Sequence, residues 1–110
     1  MKNMQIMIKI GKIYYNKIMQ KKHYVYILLT ERGTLYCGYT DDIEKRYKQH
    51  IEGKGAKYTR ANKPVKLVYQ QVYNTKTEAM REEYRIKHKL TRAQKLKLID
   101  SELNQQDYSQ

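Results

Sequence analysis

Hydrophobic and polar positions alternate most clearly over residues 23–30 and 34–40, where Val, Ile, Leu, Tyr and Thr recur and Glu31-Arg32-Gly33 intervenes. Such runs predict two strands joined as a hairpin. A three-residue connection with glycine in the left-handed third position is a common hairpin form, so Gly33 predicts that Thr30 pairs with Thr34, Leu28 with Tyr36 and Tyr26 with Gly38. Side chains alternate between the faces of a strand. That register puts Val25, Ile27, Leu29, Leu35 and Cys37 on a core-like face and Tyr24, Tyr26, Leu28 and Tyr36 on a phenolic one. A two-residue Arg32-Gly33 turn would instead separate Tyr26 from Tyr36.

Further along, Asp41 with Glu44 three residues later predicts a helix start, and the helix should run to about residue 51. Its Ile43, Tyr47 and Ile51 recur at helical spacing and are expected to face the core, with Arg46 and His50 one turn apart on an adjoining stripe. Residues 53–64 combine two glycines with Lys54, Lys57, Arg60 and Lys63 and read as a basic loop, ordered or mobile. A third strand is predicted over residues 65–73. Two capping boxes follow, Thr75-x-x-Glu78 and Thr91-x-x-Gln94, each opening a helix. Ala79, Glu83, Ile86 and Leu90 form the apolar stripe of the first, and Ala93, Leu96, Ile99 and Leu103 that of the second. Residues 104–110 make a polar tail expected to fray. Residues 1–21, with Ile6, Ile8 and Ile10 as a weak strand signal, read as an appendage to a single domain at 22–103.

Composition narrows the partner. Lys and Arg number 23 against 11 Asp and Glu, a net charge of +12 spread along the whole chain. The expected partner is a polyanion, and nucleic acid binding of this kind weakens steeply with salt. A membrane surface competes as a partner only weakly, because no basic amphipathic anchor helix stands out. Lys2, Lys9, Lys12 and Lys17 interrupt the early apolar residues, so neither a signal peptide nor a membrane span is read there. With Cys37 alone, neither an intramolecular disulfide nor a Cys-rich zinc cluster can form, which points to a reducing cytoplasm. Phe and Trp are absent, leaving 12 tyrosines to supply packing, base stacking or chemistry.

Candidate chemistry gathers at few positions. Glu83 is a carboxylate within an apolar helix stripe, where lost hydration demands a compensating cation. A structural ion pair, a helix turned to water and a metal ligand all remain open. Tyr26 and Tyr36 can cooperate if the hairpin register is right, or simply pack across strands. A phenol abstracts a proton at neutral pH only beside a cation or metal-bound water. Arg46 could be that cation and also suits a phosphate oxygen, with a surface helix cation as the bland reading. His50 could share a proton with a tyrosine, bind phosphate, or be an ordinary interior histidine. Lys54, Lys57, Tyr58, Arg60 and Lys63 mix phosphate-binding charge with an aromatic able to stack on a base, or make a merely solvated loop. No Walker loop, dinucleotide glycine fingerprint or His-Glu-x-x-His pattern is present.

Taken together, these residues resemble the GIY-YIG nuclease superfamily, in particular its small standalone bacterial subset, the UPF0213 proteins. The match spans residues 23–99. Tyr24-Val25-Tyr26 stands at GIY and Tyr36-Cys37-Gly38 at YIG, so Tyr24 replaces the glycine and Cys37 the middle isoleucine. Residues 38–46 resemble the segment leading to the family arginine, here Arg46, and His50 stands at the following histidine. Gly53-Lys54-Gly55-Ala56-Lys57-Tyr58-Thr59-Arg60, then Pro64, resembles a signature of the standalone subset. Glu78-Ala79-Met80-Arg81-Glu82-Glu83 resembles the helix bearing the metal-binding glutamate, which maps to Glu83 and not Glu82. A late asparagine of some members has no counterpart, and neither the zinc-finger domain of eukaryotic relatives nor the extra domains of repair and homing enzymes is read in the chain.

The resemblance implies an α/β sandwich with a three-stranded antiparallel sheet flanked by helices. It also implies hydrolysis of phosphodiester bonds in DNA, with branched, flapped or single-stranded forms as candidate substrates and one divalent cation, Mg²⁺ or Mn²⁺, held by Glu83. Arg46 would stabilise phosphate charge, and Tyr26, Tyr36 or His50 would handle the proton of the attacking water. A catalytically weak module binding DNA or RNA on the same surface is the alternative.

Overall fold

The first strand, β1 (His23–Thr30), turns through Glu31, Arg32 and Gly33 into β2 (Leu35–Thr40). Gly33 takes φ +79°, the left-handed backbone that a Cβ disfavours. Its amide donates to Thr30 O at 2.9 Å, and the Thr30 amide donates to Thr34 O at 2.9 Å. The predicted register follows, with Leu28 opposite Tyr36 and Tyr26 opposite Gly38. Tyr26 and Tyr36 therefore share a face. The structure is a computed structural model that describes residues 21–108, with side chains described to Leu103; the strand signal at Ile6, Ile8 and Ile10 lies outside the described residues.

After the hairpin come α1 (Ile43–Ile51), the short α2 (Lys57–Ala61), β3 (Pro64–Tyr73), α3 (Lys76–Lys89) and α4 (Arg92–Tyr108). β3 pairs antiparallel with β1, giving the sheet order β2-β1-β3. The α/β architecture is thus the expected one, a three-stranded antiparallel sheet flanked by helices. On one face Val25, Ile27, Cys37 and Tyr69 pack with Ala79 and Ile86 of α3 and Ile99 of α4. On the other, Tyr26 and Leu28 are as buried as that core, and His50 of α1 and Thr59 of α2 are buried with them. Burial of a phenol at that depth is costly unless its hydroxyl is bonded, which here it is.

Several local expectations are corrected. Asp42, not Asp41, caps α1: its Oδ1 accepts from the Lys45 amide at 3.1 Å. Thr40 Oγ1 accepts from the Asp42 amide at 3.0 Å and holds the turn one residue longer, while Asp41 pairs with Lys21 at 2.7 Å. The residue α1 buries is His50, and Ile51 is 42% exposed. The basic loop expected over residues 53–64 contains the short helix α2. Leu96 and Leu103 of α4 are exposed, and the helix presents Leu98 and Ile99 inward with Glu102 toward β3. The reason lies at the sheet edge: the Gln70 amide faces away from β1 and donates to Glu102 at 3.1 Å. The backbone of α4 is helical to Tyr108.

Both predicted N-caps form, the second as a full capping box. Thr75 accepts from the Glu78 amide at 3.2 Å. Thr91 and Gln94 cap reciprocally, at 3.2 Å and 2.8 Å.

Candidate active site

The hairpin register places Tyr26 and Tyr36 6.4 Å apart, centroid to centroid, and α1 lays His50 against both. Tyr26 Oη lies 2.7 Å from His50 Nε2. The other ring nitrogen, Nδ1, lies 2.7 Å from Thr59 Oγ1, which donates to Ala56 O at 3.0 Å. Glycines make the close approach possible: a Cβ on Gly38 would fall inside the Tyr26 phenol, and one on Gly55 inside the His50 ring.

Burial pushes the Tyr26 phenol up to about 12, against a smaller opposite pull from the nearby Arg46 guanidinium. Burial also lowers His50 to about 4, with the Arg46 charge acting the same way. At neutral pH the pair is therefore an uncharged phenol on an uncharged imidazole. Arg46 is held on its helix by Nη1 donating to Gln49 Oε1 at 3.1 Å. Cys37, pushed up to about 12 by burial, remains a thiol and a core residue.

Tyr36 forms the outer wall. Its ring stacks on Tyr58 at 6.0 Å and 12°, and the Tyr58 hydroxyl donates to Thr34 at 2.7 Å. One face of Tyr58 is thus covered by Tyr36, although the residue is 41% exposed.

Glu83 reaches the same region from the far side of β2. Its carboxylate, 14% exposed, accepts from Lys87 Nζ at 3.1 Å, and that ammonium stands 5.5 Å above the Tyr36 ring centre. Burial opposes the Lys87 charge, but the hydrogen bond and the charge of Glu83 outweigh it and hold the amine above its ordinary range. Glu82 points elsewhere, bound to Arg85 and felt by Tyr69 and Tyr73. Of the two glutamates only Glu83 borders the tyrosine cluster.

The fold brings together Tyr26, Tyr36, Arg46, His50 and Tyr58, with Glu83 joined through Lys87. Lys54, Lys57, Arg60 and Lys63 stand exposed on the segment from α1 to β3, with Lys54 4.0 Å from Glu52. Thr59, Gly55 and Lys87 were not singled out from the sequence. Lys87 carried a readable signal, a lysine four residues after a glutamate on a helix. Thr59 carried none, since no period marks a residue buried by a five-residue helix.

Among the described residues no group of three or more His, Cys, Asp and Glu side chains converges as a metal cage. A zinc-type closed site does not fit. An ion that keeps most of its waters needs little more than one carboxylate, and Glu83 already holds a cation, the Lys87 ammonium.

A strand-borne tyrosine pair thus stands against a helix-borne histidine and arginine, with a glutamate on a second helix nearby. The family model described as the GIY-YIG catalytic domain matches residues 22–97, and the chain belongs to this family, a nuclease superfamily that acts on nucleic acid. Among its relatives, a UPF0213 protein of Staphylococcus saprophyticus is 54% identical over 78 residues, covering 71% of this chain and 94% of the relative. One of Bacillus licheniformis is 55% identical over 78 residues, covering 71% and 79%. The solution structure of a protein from E. faecalis, 38% identical, superposes with a TM-score of 0.52 over 74% of this chain and 85% of that one. No helix among the described residues is long and apolar enough to cross a membrane.

Proposed function

We propose that the protein is a Mg²⁺-dependent endonuclease that hydrolyses phosphodiester bonds in DNA, with Mn²⁺ able to replace Mg²⁺. The observation that carries this reading is the 2.7 Å contact between Tyr26 Oη and His50 Nε2, a pair that feels the Arg46 charge. A divalent ion on Glu83 would supply positive charge to a phosphate oxygen and to the leaving oxygen.

The protein's own groups do the rest. Arg46 offers a planar fork of donors to the phosphate, matched to the charge that grows as the attacking oxygen adds to phosphorus. Tyr26 takes the proton of the attacking water as it passes its own to His50 Nε2; the water oxygen bonds to phosphorus, and the leaving oxygen departs with the electron pair of the broken P–O bond and takes its proton from solvent. Phosphate arriving beside Arg46 offsets the positive charge that disfavours protonated His50. Tyr36 and Tyr58 wall the site, and the exposed Lys57 and Arg60 of α2 face the phosphate backbone. The +12 net charge draws the polyanion in.

Labelled duplex, single-stranded, flap and branched DNAs, each beside RNA of matched sequence, test the reading with Mg²⁺ and with Glu83→Gln as control. Cleavage by the wild type alone, stopped by a chelator, is expected. Tight binding without cleavage under any divalent ion would replace it with a binding module.

A further inference from the structure

Thr59 is buried, 2% exposed, at the base of a segment whose other side is strongly basic. A hydroxyl carries one proton, and that of Thr59 goes to Ala56 O at 3.0 Å. Its oxygen is then an acceptor toward His50 Nδ1 at 2.7 Å, which requires the hydrogen on Nδ1. In a neutral imidazole the second nitrogen then keeps its lone pair, directed at Tyr26 Oη. Gly55 lets the backbone lie against the same ring edge, where any Cβ would displace the imidazole.

We propose that Thr59 is a positioning residue that sets the tautomer of His50, so that Nε2 is the acceptor for the Tyr26 proton. The segment from α1 to β3 is then part of the proton path and not only a phosphate-facing surface. The inference rests on the nuclease reading for its effect on turnover, but not for the tautomer itself. Valine at position 59 leaves a buried Nδ1–H without an acceptor, a loss the ring relieves by moving its hydrogen to Nε2. Nε2 then donates to Tyr26 and can no longer receive from it.

Nitrogen-15 NMR of the imidazoles reads this in the full chain, with His50 told apart from His23 and His88 by substituting each of those two. In the wild type and in Thr59→Ser, the hydrogen is expected on Nδ1; in Thr59→Val, on Nε2. Turnover in Thr59→Val should fall on the order of 100-fold with KM little changed, and Thr59→Ser should restore it. If Thr59→Val does not fold, the tautomers of the wild type and the serine variant decide. Hydrogen on Nε2 in the wild type, or on Nδ1 in Thr59→Val with undiminished turnover, overturns the proposal. A tautomer switch in a chain that cleaves nothing upholds the role of Thr59 and counts against the nuclease.

Discussion

Tyr26 Oη lies 2.7 Å from His50 Nε2, so a residue on the central strand and one on the last turn of α1 share one proton in a buried site. Two groups with very different proton affinities face each other there, burial having raised the phenol to about 12 and lowered the imidazole to about 4. Neither is charged at rest, and in the nuclease we propose the pair would relay the proton of the attacking water.

That depressed imidazole makes stability depend on pH. An unfolded chain binds a proton at His50 as pH falls through about 6.5, whereas the folded chain resists until about 4. This group therefore contributes nothing above about pH 7 and removes roughly 3 kcal/mol as pH falls across that window. Urea unfolding at pH 7 and pH 4 should show the wild type losing more stability than His50→Gln. Equal losses would mean that His50 is protonated in the fold.

Lys87 Nζ lies 3.1 Å from the Glu83 carboxylate, the group to which we assign the divalent ion. Lys87→Met should therefore tighten Mn²⁺ binding about tenfold, the order expected for one partly screened unit charge. Calorimetric titration or Mn²⁺ paramagnetic resonance reads the dissociation constant without any substrate. Unchanged or weaker binding would separate Glu83 from the ion.

Gly38 leaves no room between β2 and the Tyr26 ring. Gly38→Ala should cost about 1–3 kcal/mol of folding stability by overpacking and should displace the phenol from His50. Denaturant melts measure the first effect and cleavage rates the second. Wild-type values for both would show that the strand adjusts freely.

Lys57 and Arg60 point outward from the short helix that points Thr59 inward. Replacing both with alanine should reduce the slope of log binding constant against log salt by about 2 on duplex DNA, near 0.9 for each lost phosphate contact. Catalytic geometry should survive, since neither side chain supports the Tyr26–His50 pair. An unaltered slope would take this helix off the contact surface.

The chain alone determined the elements whose rules are local. Gly33 favoured the three-residue hairpin loop and with it the common face of Tyr26 and Tyr36, a choice over the two-residue turn that the folded register made. Thr75 and Thr91 marked two helix starts, because an unpaired amide takes the nearest side-chain acceptor. The tertiary structure decided what covers what. Periodicity of two or of 3.6 says that a face is apolar, not which element will lie on it. It could not foretell that Tyr26 and Leu28 of the phenolic face would be buried as deeply as the core, or that α4 would turn Leu96 and Leu103 outward to give Glu102 to the edge of β3. Nor could it bring Thr59 to His50, nine residues away, or Lys87 over Tyr36. Those meetings depend on which buried polar atoms find partners once the chain has closed, and that is settled in three dimensions.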